Sequence, residues 1–229
     1  EYSEALAEKG VQPIIGITLK VDCGREDGKS PAQPGIKRHP SLALLAKDEV
    51  GYGNLMKLTS RNFLDVPATE EPHVTWEVFA AHTDGLICLS GGPQGPLNGE
   101  LVQGQMGHAR DLAMRLKELF GDRLYVELQR HNLPEERAAE PGLMELAYEL
   151  GIPLVASNQC YYAAPDDFAA HDALICISEG EVIATEDRRR LTPEHYFKSQ
   201  EEMVALFADI PEAIENTLEI AQRCAYRVK

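Results

Sequence analysis

Leu154-Val155-Ala156-Ser157-Asn158-Gln159-Cys160-Tyr161-Tyr162 begins as an apolar strand and ends as a row of polar side chains. Just upstream, residues 143–150 repeat their apolar members at helical spacing, Gly151 supplies a stop, and Ile152-Pro153 leads into the apolar run. A helix, a short turn and a buried strand make the repeating step of parallel α/β proteins. Ligands in such folds collect at the carboxyl ends of the strands, because several strand ends converge there. Residues 158–162 therefore mark the rim on which chemistry is expected.

With 229 residues the chain can bury a substantial core. Its 44% hydrophobic and 26% charged residues are ordinary for a soluble globular protein. No apolar run approaches the roughly 20 residues of a membrane span, and Glu1-Tyr2-Ser3-Glu4 is acidic where a signal peptide is basic, so the chain is read as cytoplasmic. A net charge of −15 argues against this segment gripping a polyanion alone, since nucleic-acid affinity comes largely from Lys and Arg. Five cysteines, widely spaced and never in a CxxC pair, read as reduced thiols, with Cys88 and Cys176 at core positions.

Working outward, the pattern predicts a helix over 1–9 stopped by Gly10, then strands over 13–21 and 41–46. The stretch 24–40, rich in Gly, Pro and charge, reads as a mobile surface loop. Helices are predicted over 50–63, 76–81 and 107–120, and strands over 85–90 and 123–131. Residues 164–177 open a further helix, Ser199-Gln200-Glu201-Glu202 has the form of a capping box, and Pro211 suits the first turn of a last helix. Gly91-Gly92-Pro93 after a strand could cradle a phosphate, but without GK[ST] or GxGxxG a structural turn is the better reading.

Glu127 and His131, at a strand end, could bind a metal or move a proton; the plainer reading is structural, with Glu127 paired to an arginine. His171, inside a predicted helix, reads as a hydrogen-bonded packing residue. His73, His82, His108 and His195 stand in polar surroundings and read as solvated. No nucleophile elbow and no HExxH occurs.

Several stretches taken together resemble a known family. They are Leu42-Ala43-Leu44-Leu45-Ala46-Lys47 followed by Gly51-Tyr52-Gly53-Asn54-Leu55-Met56-Lys57-Leu58, residues 86–92, Val155-Ala156-Ser157-Asn158, Ala170-His171, and residues 201–224. Each is similar to the PHP (polymerase and histidinol phosphatase) domain of bacterial DNA polymerase III alpha subunits, and the likeness covers nearly the whole chain. It implies a distorted seven-stranded (β/α) barrel with a cleft at the strands' carboxyl ends. Residues 1–229 would then be a PHP domain lacking its first two strands, and 192–229 a helical tail leading toward a polymerase domain.

In that family the cleft holds up to three metal ions. The resemblance places its acidic ligand at Thr18 and its histidine before LLAK at Ser41, with His39 two residues away. Its Glu and His are matched by Glu127 and His131, and its NDxHY motif by Asn158-Gln159-Cys160-Tyr161-Tyr162, so that Gln159 and Tyr161 replace aspartate and histidine. Two hydroxyls, an amide and a phenol cannot replace the charge and donors an ion needs. The expectation is a non-catalytic, metal-free scaffold that docks a separate proofreading exonuclease subunit and joins other polymerase III holoenzyme subunits. The parent chain would be a DNA-directed DNA polymerase using Mg outside this segment. The rivals are a metal-dependent phosphoesterase or intrinsic 3'-5' exonuclease, and an error-prone paralogue. With two strands missing, residues 14–19 should have one strand neighbour and an edge covered by the 24–40 loop or a second copy.

Overall fold

The computed structural model describes residues 2–24 and 39–228. Apart from its ends, the 24–40 loop lies outside them. The elements follow as α1 (Tyr2–Glu8), β1 (Gly16–Asp22), β2 (Ser41–Ala46), α2 (Glu49–Leu64), β3 (Val74–Thr75), α3 (Trp76–Ala80), β4 (Leu86–Leu89), α4 (Pro96–Val102), α5 (Met106–Phe120), β5 (Leu124–Gln129), α6 (Pro134–Leu150), β6 (Leu154–Ser157), α7 (Phe168–Glu179), α8 (Gln200–Leu206) and α9 (Pro211–Arg223). The six strands form a mixed sheet in the order β3-β1-β2-β4-β5-β6.

Two features depart from the expected repeat. β2 runs antiparallel to both β1 and β4, whereas β4, β5 and β6 are parallel. β1 also has two neighbours at its end: over Gly16 to Lys20 it pairs with β2, and Val21 and Asp22 pair in parallel with Val74 and Thr75 of β3. Residues 16–19, within the stretch expected to have one strand neighbour, pair with β2 alone among the described residues, and the second neighbour, β3, joins only beyond them.

One face of the sheet carries Leu19, Val21, Leu42, Leu44, Val126, Leu128 and Leu154, packed under α2, α5 and α6 through residues such as Leu58, Leu116 and Leu143. Burying side chains of this size stabilises by about 1.5–3 kcal/mol each, which makes this face the main source of stability. The other face, with Ile87, Leu89, Tyr125 and Val155, receives Ile220 of α9 and Cys224, which caps it. The C-terminal helices are thus packed onto the sheet. Arg130 adds a polar tie: its guanidinium forks to Glu140 (2.7 and 2.9 Å) and to Asp209 (2.7 and 2.8 Å), joining α6 to the turn before α9.

Helix α6 starts at Pro134, well before residue 143, despite an internal proline. Pro134 occupies the first turn, where its missing N–H costs nothing, and the Glu136 carboxylate accepts the free Leu133 N–H at 3.0 Å. At Gly142, just after Pro141, α4 packs close: a Cβ there would fall 2.7 Å from the end of the Leu101 side chain, which would have to turn aside.

Candidate functional site

The carboxyl ends of β4, β5 and β6 meet at one rim, where the cleft residues can be followed one by one. Glu127 is buried on β5 and its carboxylate is fully occupied. One oxygen accepts the Gly91 N–H at 2.9 Å; the other accepts the Gln129 side-chain amide at 2.9 Å and the Ser157 hydroxyl. Among the described residues no arginine pairs with it, contrary to expectation. The backbone explains the arrangement: Gly91 holds φ at +88°, and a Cβ there would fall 1.9 Å from the Ser41 carbonyl oxygen. Only glycine lets the turn after β4 pass between Ser41 and Glu127. The Gly91-Gly92 turn is therefore a structural element of the rim.

His131 does not meet Glu127. Its Nδ1 lies 2.8 Å from Glu136 and its Nε2 3.1 Å from the Asn158 side-chain oxygen, while Asn158 donates its amide to the Tyr196 carbonyl at 2.9 Å. The other Glu136 oxygen takes the His131 N–H at 2.7 Å. Below the ring, His195 stacks at 4.2 Å between centroids and 17° between planes. His195 is 2% exposed, so the solvated reading of this histidine is corrected. Burial first, and repulsion from His131 second, push its pKa down to about 4, against weaker opposing pulls from the Thr192 carbonyl and Glu136.

Thr18 and Tyr161 are exposed, as is Gln159, and Ser41 is buried. Tyr161 lies tilted at 48° to His195, with centroids 5.9 Å apart. The fold thus brings Ser41, Glu127 and the His131–Asn158 pair to one rim and leaves the Thr18 and Gln159 side chains at the surface. These residues do not fit a metal cluster. Of the six expected positions, Glu127 has its oxygens taken by three donors, His131 has both ring nitrogens engaged, and Thr18, Ser41, Gln159 and Tyr161 offer only neutral donors.

Glu136 and His195 were missed. Glu136 carried a signal, since an acidic residue two places after Pro134 is where a helix N-terminus recruits a carboxylate. His195 carried none, its partner lying far back in the chain. His73 is also buried, and His82 is half-buried with Nδ1 2.8 Å from the Val78 carbonyl; His108 is exposed as expected. His171 packs between Tyr161 and Tyr162, with ring centroids 5.5 and 5.4 Å away, but its buried Nδ1 has no hydrogen-bond partner, which corrects the expected bond.

Comparison with known proteins gives a consistent result. The PHP domain family model matches residues 1–131. DNA polymerase III subunit alpha of Caulobacter vibrioides is 49% identical over 228 residues, covering 100% of this chain and 20% of that protein. The proteins of the same name from Rickettsia bellii and Treponema pallidum are 38% and 39% identical, each over 99% of this chain and 18% and 19% of their own lengths. The chain spans about a fifth of the length of these relatives.

Proposed function

Because the chain belongs to the DNA polymerase III alpha-subunit family, in its PHP-domain part, we propose that it serves as a non-catalytic scaffold whose ancestral metal cleft has become a structural joint. The observation that carries this reading is the saturation of Glu127 and His131: both surviving ligand-type side chains spend their polar atoms on the rim itself. The six strands are taken as part of a distorted PHP barrel wall. The longer protein extends DNA from deoxynucleoside triphosphates with Mg held outside residues 1–229. The strongly acidic charge of this segment leaves DNA binding to the other domains.

The scaffold docks the separate proofreading exonuclease subunit. Leu174 and Ile177 on α7, followed by Val182 and Ile183, leave large apolar side chains 60–77% exposed, the kind of surface a protein partner buries. Two measurements test the proposal. Phosphoesterase and 3'-5' exonuclease assays with Mg, Mn or Zn should give a background that Glu127→Gln and His131→Gln leave unchanged; an activity that falls with either change overturns the scaffold reading. Sedimentation of the protein with its exonuclease subunit should give a complex that Ile177→Asp weakens, and no complex at micromolar concentration would remove the docking role.

A further inference from the structure

At the far edge of the sheet, about 13 Å along β1 from Thr18 at the usual strand rise, three ligand-type side chains meet where three chain segments come together. Asp22 ends β1, His39 precedes β2 and His73 precedes β3. The pairings bring them together: Lys20 lies opposite Ser41 in the antiparallel ladder, so two residues further on Asp22 comes opposite His39, while the parallel pair Asp22–Thr75 places His73 two residues behind. Their ligand atoms all lie within 4.8 Å of one another, the one such group among the described residues.

We propose that Asp22, His39 and His73 form a binding site for a divalent transition ion, zinc in particular, which clasps the two-residue strand β3 to the sheet. Two imidazoles and one carboxylate are a donor set suited to zinc, with a fourth position left for water. His73 is prepared for the role. It is 8% exposed, and its Nδ1 lies 2.8 Å from the Glu71 carbonyl. A carbonyl can only accept, so in the neutral ring Nδ1 carries the hydrogen and Nε2 keeps the lone pair, the arrangement that outer-shell partners impose on metal-binding histidines. His39 stacks on it at 3.8 Å with planes 20° apart, and Asp22 is steadied by the Gly24 N–H at 3.0 Å on one oxygen. Tetrahedral zinc holds its donors about 3.4 Å apart, so closing the site takes side-chain rotations of about an ångström at the half-buried Asp22 and His39. Among the described residues, Lys20 of β1 is ion-paired with Glu71 and Arg115 donates to the Cys23 carbonyl.

The site differs from the family cleft in residues and place, and it asks nothing of Glu127 or His131. The test is calorimetric titration of untagged, chelator-stripped protein with Zn2+, and spectroscopic titration with Co2+, whose visible absorption reports coordination number. One equivalent should bind with Kd of about 10 μM or tighter, and Asp22→Asn, His39→Gln and His73→Gln should each weaken it at least about tenfold. Circular dichroism of the metal-free variants should match the parent. His39→Gln, at a half-buried position, gives a readout even if His73→Gln disturbs the fold. Absence of stoichiometric binding, or binding indifferent to these three residues, overturns the proposal and leaves the scaffold reading intact. Binding lost instead with Glu127→Gln or His131→Gln overturns both.

Discussion

His195 should make the protein acid-sensitive in a pH window that belongs to one ring. The folded ring has a pKa of about 4, whereas an unfolded histidine titrates near 6.5. Between these values the unfolded chain binds a proton that the folded chain refuses, so stability rises with pH across the window and is lost as pH falls from about 6.5 toward 4. At pH 4.5 the unfolded ring is about 99% protonated and the folded ring about a quarter, and linkage converts the difference from pH 7 into about 2 kcal/mol. The carboxylates held low by arginines, Asp209 by Arg130 and Asp172 by Arg188, are present as stabilising anions above the unfolded carboxylate range and lose that contribution only below it. Urea unfolding at pH 7 and pH 4.5, on the parent and on His195→Gln, isolates the ring. The variant is weaker at pH 7 because it loses the stack on His131, but the parent should lose about 2 kcal/mol more than the variant on acidification. Equal losses in the two proteins would refute the assignment of this pH dependence to His195.

Gly91→Ala should destabilise by about 3 kcal/mol or more in the same unfolding assay, because φ of +88° is combined with a Cβ placed 1.9 Å from the Ser41 carbonyl. A loss under about 1 kcal/mol would mean that the turn gives way freely and does not fix the rim. Ser199→Ala should cost about 1 kcal/mol by opening the capping box in which Ser199 Oγ accepts the Glu202 N–H at 3.2 Å and Glu202 accepts the Ser199 N–H at 2.7 Å; Ser199→Asp should recover most of it.

Much of the fold is legible because its signals are local. Apolar runs mark β2, β4 and β6, Gly151 closes α6 at φ +60°, and the Ser199 capping box opens α8 where expected. What escaped is decided by partners remote in the chain. β3 has two residues and no periodicity to detect, and it exists because Val21 and Asp22 offer it a ladder. α4 went unpredicted: it has seven residues, with Pro96 at its start and Gly99 inside it, and so carries little helical signal. The family ligands of the cleft could be placed by motif, but their state could not, since Glu127 is satisfied by Gly91 and Ser157, on other strand ends. The buried state of His73 and His195 is illegible for the same reason, each being covered by a ring, His39 or His131, that only the folded chain brings close.

The two oxygens of Glu136 have a consequence for how the domain comes apart. The same carboxylate ends the first turn of α6, through the Leu133 N–H, and orients the His131 ring, through its Nδ1 and backbone N–H. The helix start and the rim therefore cannot fray independently, because releasing either strands a buried anion that the other was solvating. In native-state hydrogen exchange the amides of His131 and Leu133 should open in a single event, making this corner one cooperative unit within a sheet whose β3 edge is held by two residues. Load arriving through α9 would reach that corner by way of Asp209 and Arg130, whose neighbour in the chain is His131.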